Sequence, residues 1–304
     1  MTLFQDYNHV SMIKSWLHWE KMVEKYPERL NGYIFPQPIE EWYAAMGAPC
    51  AICDGDSLQV VDLGEGPETI YCLCEVLLSL KESKETLFNY ESPIQPAYMK
   101  DIVPLGLDPV YDNGLLDAKD YIEEWFGALN TWIVIIGTNG VGKTHIMRAI
   151  KTRLQSMCAF ISVDRFQQSL FFAKNKDDKV DELITFLSTV PILLLDDWGI
   201  EHNSSWTTNT LASIINSRYN FAASLPTVIS TNISQVNLIT TTDYARKRIV
   251  SRIFDSKISA TITLNGSDYR SESVQNSIAD MEKQKAVKKV KVQTRDDIAR
   301  RYGK

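Results

Sequence analysis

The chain has 304 residues, 44% of them hydrophobic, which suits one large or two ordinary globular domains. No apolar run approaches ~20 residues and the opening Met1-Thr-Leu-Phe-Gln-Asp lacks a basic-then-apolar signal pattern, which excludes a membrane span and points to the cytoplasm. The net charge of −6 argues against a chain generally coated in nucleic acid, yet from Gln275 onward nine Lys/Arg against four Asp/Glu give a tail of +5 and leave −11 elsewhere.

Residues 1 to about 45 read as helices rich in aromatics, with Ile13, Trp16, Leu17 and Met22 or Val23 near helical spacing. They form either a small helical core or a docking face, since Trp16, Trp19 and Trp42 are of the type that dominates interface hot spots. Four of the five cysteines follow within twenty-five residues: Cys50 and Cys53 before Asp-Gly, then Cys72 and Cys74. In a cytoplasmic chain this suggests structural Zn²⁺ rather than disulfides, two thiolate pairs converging on one ion, with Val60-Val-Asp-Leu-Gly-Glu-Gly as the hairpin between them. Unmetallated thiols are the alternative, and the single-residue spacing of Cys72 and Cys74 departs from the usual knuckle. A stretch with Pro93 and Pro96 reads as a linker. The expected domains are 1–95, helical and zinc-binding; 96–274, nucleotide-binding; and 275–304, a basic tail.

Asp117 to Leu129 reads as a helix leading into the apolar run Trp132-Ile-Val-Ile-Ile136. Behind that run stand Gly137, Thr138, Asn139, Gly140, Val141, Gly142, Lys143 and Thr144, which fit G-x-x-x-x-G-K-[ST] without a mismatch. The glycines let backbone N–H groups turn toward phosphate oxygens, and a helix from Lys143 to about Met157 adds its positive end. Lys143 is expected at the β- and γ-phosphates and the Thr144 hydroxyl on Mg²⁺. A nucleoside triphosphate is the implied ligand.

Later apolar runs at 159–163, 191–195, 227–231 and 258–264 alternate with helical stretches, which predicts a mostly parallel sheet covered on both faces. Cys158 is expected at the end of the phosphate-loop helix, buried. The run at 191–195 closes in Asp196 and Asp197, and adjacent acids at a strand end cost energy unless a cation offsets them. Asp196 is read as part of the Mg²⁺ shell and Asp197 as the residue that orients and activates the attacking water. Asn232, ending the next strand, offers an amide to the γ-phosphate or that water. Arg248 and Arg252 share a helical face, either solvated or presented to a neighbouring subunit's γ-phosphate.

Taken in order, Gly-x4-Gly-Lys-Thr, Leu-Leu-Asp-Asp-x-Gly, Asn-Ser-Arg218-Tyr219, Ser-Thr-Asn232, Arg248-Ile-Val-Ser-Arg252 and Asp268-Tyr269-Arg270 resemble the AAA+ ATPase domain of DnaC/DnaI-type helicase loaders, a core shared with IstB transposition helpers. The resemblance covers about residues 105 to 272. The cysteine element is similar to the amino-terminal zinc region of DnaI-like and phage-borne loaders. The resemblance implies ATP as the nucleotide, Asn232 as a first sensor, Arg252 as an arginine finger acting across a subunit interface, and Arg270 as a second sensor. It also implies single-stranded DNA on the insertion at 164–176, where Phe171, Phe172 and Lys174 are the exposed candidates while Phe166 and Leu170 suit a buried stripe. Two features depart from the pattern: Asp197 stands where many AAA+ proteins have Glu, and the basic tail is longer than usual.

The expected protein is thus an α/β P-loop AAA+ ATPase behind a small helical zinc-binding domain. It would load a replicative DNA helicase onto single-stranded DNA as an ATP-dependent homo-oligomer. The alternatives are an IstB-type transposition helper, a nucleotide-switched DNA-binding adaptor with little turnover and, last, a metabolic P-loop kinase.

Overall fold

The computed structural model describes residues 14–19, 58–62, 67–76, 91–93, 95–102, 109–173, 177–199, 205–222, 225–266 and 268. Cys50, Cys53, Trp42, Lys174, Arg270 and the basic tail lie outside the described residues.

Two short strands come first, β1 (Leu58–Asp62) and β2 (Pro67–Tyr71), paired antiparallel with Leu58 opposite Tyr71. This is the hairpin expected between the cysteine pairs. Among the described residues the main sheet has five strands: β3 (Trp132–Gly137), β4 (Cys158–Ser162), β5 (Ile192–Trp198), β6 (Thr227–Thr231) and β7 (Ser259–Leu264). All pair in parallel, in the spatial order β4-β5-β6-β3-β7. The helices that flank this sheet among the described residues are α1 (Pro109–Ala128), α2 (Lys143–Leu154), α3 (Val163–Ala173), α4 (Asp177–Thr189), α5 (Ser205–Tyr219), α6 (Gln235–Ile239) and α7 (Tyr244–Ile253).

Strand periodicity divides the core into two layers. Ile133 and Ile135 of β3, Phe160 of β4 and Leu194 of β5 face one layer, packed under α1 and α2. Trp132, Val134 and Ile136, with Ile161, Leu193 and Leu195, face the other, under α3, α4, α5 and α7. That is why these strands read as continuous apolar runs: both faces are covered.

The amino-terminal tryptophans belong to the first layer. Trp16 and Trp19, on a helical turn at 14–19, are buried there; Trp16 Nε1 donates to the Arg153 carbonyl at 3.0 Å and Trp19 Nε1 to that of Tyr71 at 2.8 Å. An indole enters a core when its N–H finds an acceptor, and both do. For these two residues the core alternative holds and the docking alternative does not.

Two expected boundaries shift. The phosphate-loop helix stops at Leu154, a 3-10 turn spans Gln155–Met157, and Cys158 opens β4 rather than ending the helix; it is buried as expected. Strand β5 does not stop at Leu195 but runs through both aspartates to Trp198. The exposed edge of β4 is covered by residues 91–92: Ser92 N–H donates to the Phe160 carbonyl at 3.0 Å, and Phe160 N–H to Glu91 Oε1 at 3.0 Å. Lys151 of α2 pairs with the same Glu91 carboxylate.

Candidate nucleotide site

The site forms where β3, β5 and β6 end on one side of the sheet. Because β6 lies between β3 and β5, the residues that close it stand between the phosphate loop and the acidic strand. A crevice of this kind, beyond the carboxyl ends of parallel strands where the order reverses, is the usual ligand position in open α/β sheets.

The phosphate loop has the backbone its glycines were expected to permit. Gly140 and Gly142 have φ of +79° and +98°, in the left-handed region that L-residues avoid. Gly140 has a second reason to lack a side chain, since a Cβ there would fall 1.7 Å from Asp268 Oδ1. Asp268 therefore rests on the loop, two residues before Arg270. Gly142 is the N-cap of α2 and, lacking a side chain, supplies no side-chain cap to the helix start. Lys143 is buried, with Nζ donating at 2.8 Å to the carbonyls of Gly137 and of Thr138. An ammonium turned onto its own loop beside an uncapped helix start is the cradle an anionic phosphate chain fits.

The acidic pair is split by the backbone. Asp196 is buried and accepts from Ser230 Oγ at 2.5 Å. Ser230 Oγ in turn accepts from the Asp197 N–H at 2.9 Å, so one hydroxyl of β6 holds both residues of β5. Asp197 has φ +57° and sits in a register shift between Leu195 and Trp198, and it is half-buried where Asp196 is buried. Strain of this kind, about 1–2 kcal/mol, persists where surrounding structure enforces it and clusters at functional sites. Ser230 was missed in the sequence: a Ser in the apolar run Thr227-Val-Ile-Ser marks a polar group inside the sheet, but which residues it bonds depends on the strand beside it.

Asn232 closes the cradle from β6, its Nδ2 donating to Asn139 Oδ1 of the phosphate loop at 3.2 Å. The structure thus joins Asn232 to Asn139 directly, and strand order sets the phosphate loop with Lys143 and Thr144 after β3 and the two aspartates on β5 at either side of β6. The hydroxyl of Thr144 and the carboxylate of Asp196 are hard oxygen donors of the kind Mg²⁺ takes, and Mg²⁺ would neutralise charge on phosphate oxygens there.

Arg252 does not join this cluster. Its Nε donates to Asn216 Oδ1 at 2.9 Å and an Nη to the Arg248 carbonyl at 3.1 Å, both on the α5–α7 side. Arg218, which the sequence marked without a role, is fully buried. It donates to the carbonyls of Leu187, Val190 and Pro226 at 3.1, 2.7 and 2.9 Å and to Thr227 Oγ1 at 2.9 Å. Burial pushes its pKa down to about 9, which leaves it protonated at neutral pH.

Phe171 and Phe172 at the end of α3 are 71% and 75% exposed and meet edge to face, while Phe166 and Leu170 are buried, as expected. Of the cysteine set, Cys72 is buried and Cys74 half-buried directly after β2, and the other two thiols lie outside the described residues. Among the described residues no three His, Cys, Asp or Glu side chains gather as a metal group, and no helix is long and apolar enough to cross a membrane.

Fold and site together define a P-loop nucleotide-binding protein whose sheet order and loop fit an AAA+ ATP-binding domain. The model of the IstB-like ATP binding protein family matches residues 117–277, more than half the chain, and the chain belongs to that family. It is similar to the replicative helicase loader DnaI of Bacillus subtilis (strain 168), 24% identical over 274 residues that cover 83% of this chain and 85% of the relative. It is also similar to the replicative helicase loader DnaC of Escherichia coli (strain K12), 26% identical over 163 residues, covering 52% of this chain and 64% of the relative. A crystal structure of DnaI aligns over 55% of this chain and 90% of its own at 23% identity and a TM-score of 0.43.

Proposed function

We propose that the protein is an ATPase that loads a replicative DNA helicase onto single-stranded DNA. The observation that carries the ATPase part is the bond from Asn232 to Asn139 of the phosphate loop, beside a Lys143 folded onto that loop and two acids held by Ser230 of the intervening strand. Lys143 and the α2 N-terminus bind the phosphates, and Thr144 and Asp196 hold Mg²⁺. Asp197 orients and activates water, Asn232 senses the γ-phosphate, and Arg270 is a second sensor. Arg252, bonded away from its own site, acts on the site of a neighbouring copy, so turnover requires assembly.

The helicase and DNA parts rest on similarity to the two loaders, with DnaI matched along most of both chains. In this reading residues 1–95 grip the helicase, Cys50, Cys53, Cys72 and Cys74 hold structural Zn²⁺ there, residues 96–274 form the ATPase, and the assembly works in the cytoplasm. The paired rings of Phe171 and Phe172, with Lys174, offer the stacking surface single-stranded DNA takes.

The test is helicase loading. With a bacterial replicative helicase and a forked substrate on protein-coated single-stranded DNA, unwinding should depend on this protein and on ATP and be lost with Lys143→Ala. Unwinding that is indifferent to the protein would contradict the loader role, and stimulation of a transposase-catalysed strand transfer instead would favour the IstB-type helper.

A further inference from the structure

Around Arg252 there is a set of contacts that the ATPase chemistry itself does not require. Its Nε is taken by Asn216 Oδ1 at 2.9 Å, and its guanidinium carbon lies 5.3 Å from the centroid of the Tyr219 ring. Tyr219 is itself pinned: its hydroxyl donates to Asp255 Oδ2 at 2.6 Å, and its ring meets Trp132 of β3 edge to face at 6.4 Å. Asp255 is the acid nearest in sequence to Arg252, and a direct pair would neutralise the guanidinium. Instead Asp255 is engaged by Tyr219 and by the Lys257 N–H at 3.0 Å, and no ion pair joins it to Arg252 among the described residues. An arginine on a surface helix has rotamer freedom that must be lost before it reaches a partner. The bond at Nε, one Nη on the Arg248 carbonyl at 3.1 Å and an aromatic face remove most of that freedom while leaving the other Nη to face a ligand.

We propose that Asn216, Tyr219 and Asp255 are positioning residues that hold the Arg252 guanidinium ready for a neighbouring subunit's γ-phosphate. The inference rests on the reading of Arg252 as a residue acting in trans. Asn216 fixes the Nε edge, Tyr219 fixes the plane, and Asp255 fixes Tyr219 without quenching the charge. The bond between Tyr219 and Asp255 also lowers the pKa of Asp255, so it remains a carboxylate acceptor across the neutral range.

Mixing experiments on the full chain separate this from a structural role. A misplaced catalytic group costs about 10²-fold, so Asn216→Ala should lose about that much ATPase while binding a fluorescent ATP analogue like wild type. Mixed with Lys143→Ala, which keeps an intact Arg252, Asn216→Ala should regain activity; mixed with Arg252→Ala it should not. Tyr219→Phe, which keeps the ring but frees Asp255, should behave in the same way with a smaller loss. Wild-type turnover by Asn216→Ala, or recovery on mixing with Arg252→Ala, would overturn the proposal. If Asn216→Ala melts early, Asn216→Gln decides, since it keeps a neutral amide acceptor: turnover clearly above that of Asn216→Ala supports the assignment, and turnover no higher than that of Asn216→Ala overturns it. A Lys143→Ala and Arg252→Ala mixture that fails to recover would instead sink the underlying trans reading, a result distinguishable from the others.

Discussion

Ser230 shows how one hydroxyl settles two acids. It donates to Asp196 and accepts from the Asp197 backbone, so Ser230→Ala leaves a buried carboxylate and a backbone N–H short of a partner. The expected cost is about 1–3 kcal/mol in chemical denaturation, together with lower turnover at unchanged fold; an unaltered midpoint would show that another group replaces the hydroxyl. Cys158 is the contrasting case, a residue whose surroundings make it inert. Burial pushes its thiol pKa up to about 12, so the native protein at pH 8 should leave it unalkylated until unfolding. The folded pKa lies above the unfolded value. Its contribution to stability is therefore intact below about pH 9 and is lost as pH rises toward 12. Rapid alkylation of Cys158 in the native state would contradict the enclosed position.

Arg218 is to α5 what Ser230 is to the acids. Its guanidinium ties α5 to the end of α4 and the start of β6, which sets the position of the strand that carries Ser230 and Asn232. Replacing it with Ala strips several buried carbonyls of their donor, and Arg218→Ala should cost at least about 3 kcal/mol. A loss under 1 kcal/mol would mean that water satisfies those carbonyls. The helical turn at 14–19 gives a parallel test. Trp16 is a core residue bonded to the end of α2, so Trp16→Ala should cost about 3–5 kcal/mol in the full chain; a docking residue would leave stability unchanged.

Across the whole molecule, what the sequence made legible was what local chemistry dictates. The phosphate loop needs its glycines and lysine in consecutive positions, and the strands covered on both faces need unbroken apolar runs, so both could be read directly. Ser230, Asn216 and Arg218 could not, because their roles depend on which strand lies beside which. The order that inserts β6 between β3 and β5 is a tertiary fact with no local signature. The continuation of β5 through Asp196 and Asp197 was hidden for a related reason: charges look like a strand end until a neighbouring hydroxyl accounts for them. The central claim is that this is an ATPase completed in trans by Arg252. It is tested most directly by ATP hydrolysis, with and without single-stranded DNA, on Lys143→Ala, Arg252→Ala and their equimolar mixture. Each variant alone should lose about 10²–10³-fold in turnover, and the mixture should recover a substantial share, further raised by DNA. Wild-type hydrolysis by Arg252→Ala, or a mixture as inactive as its parts, would contradict the account.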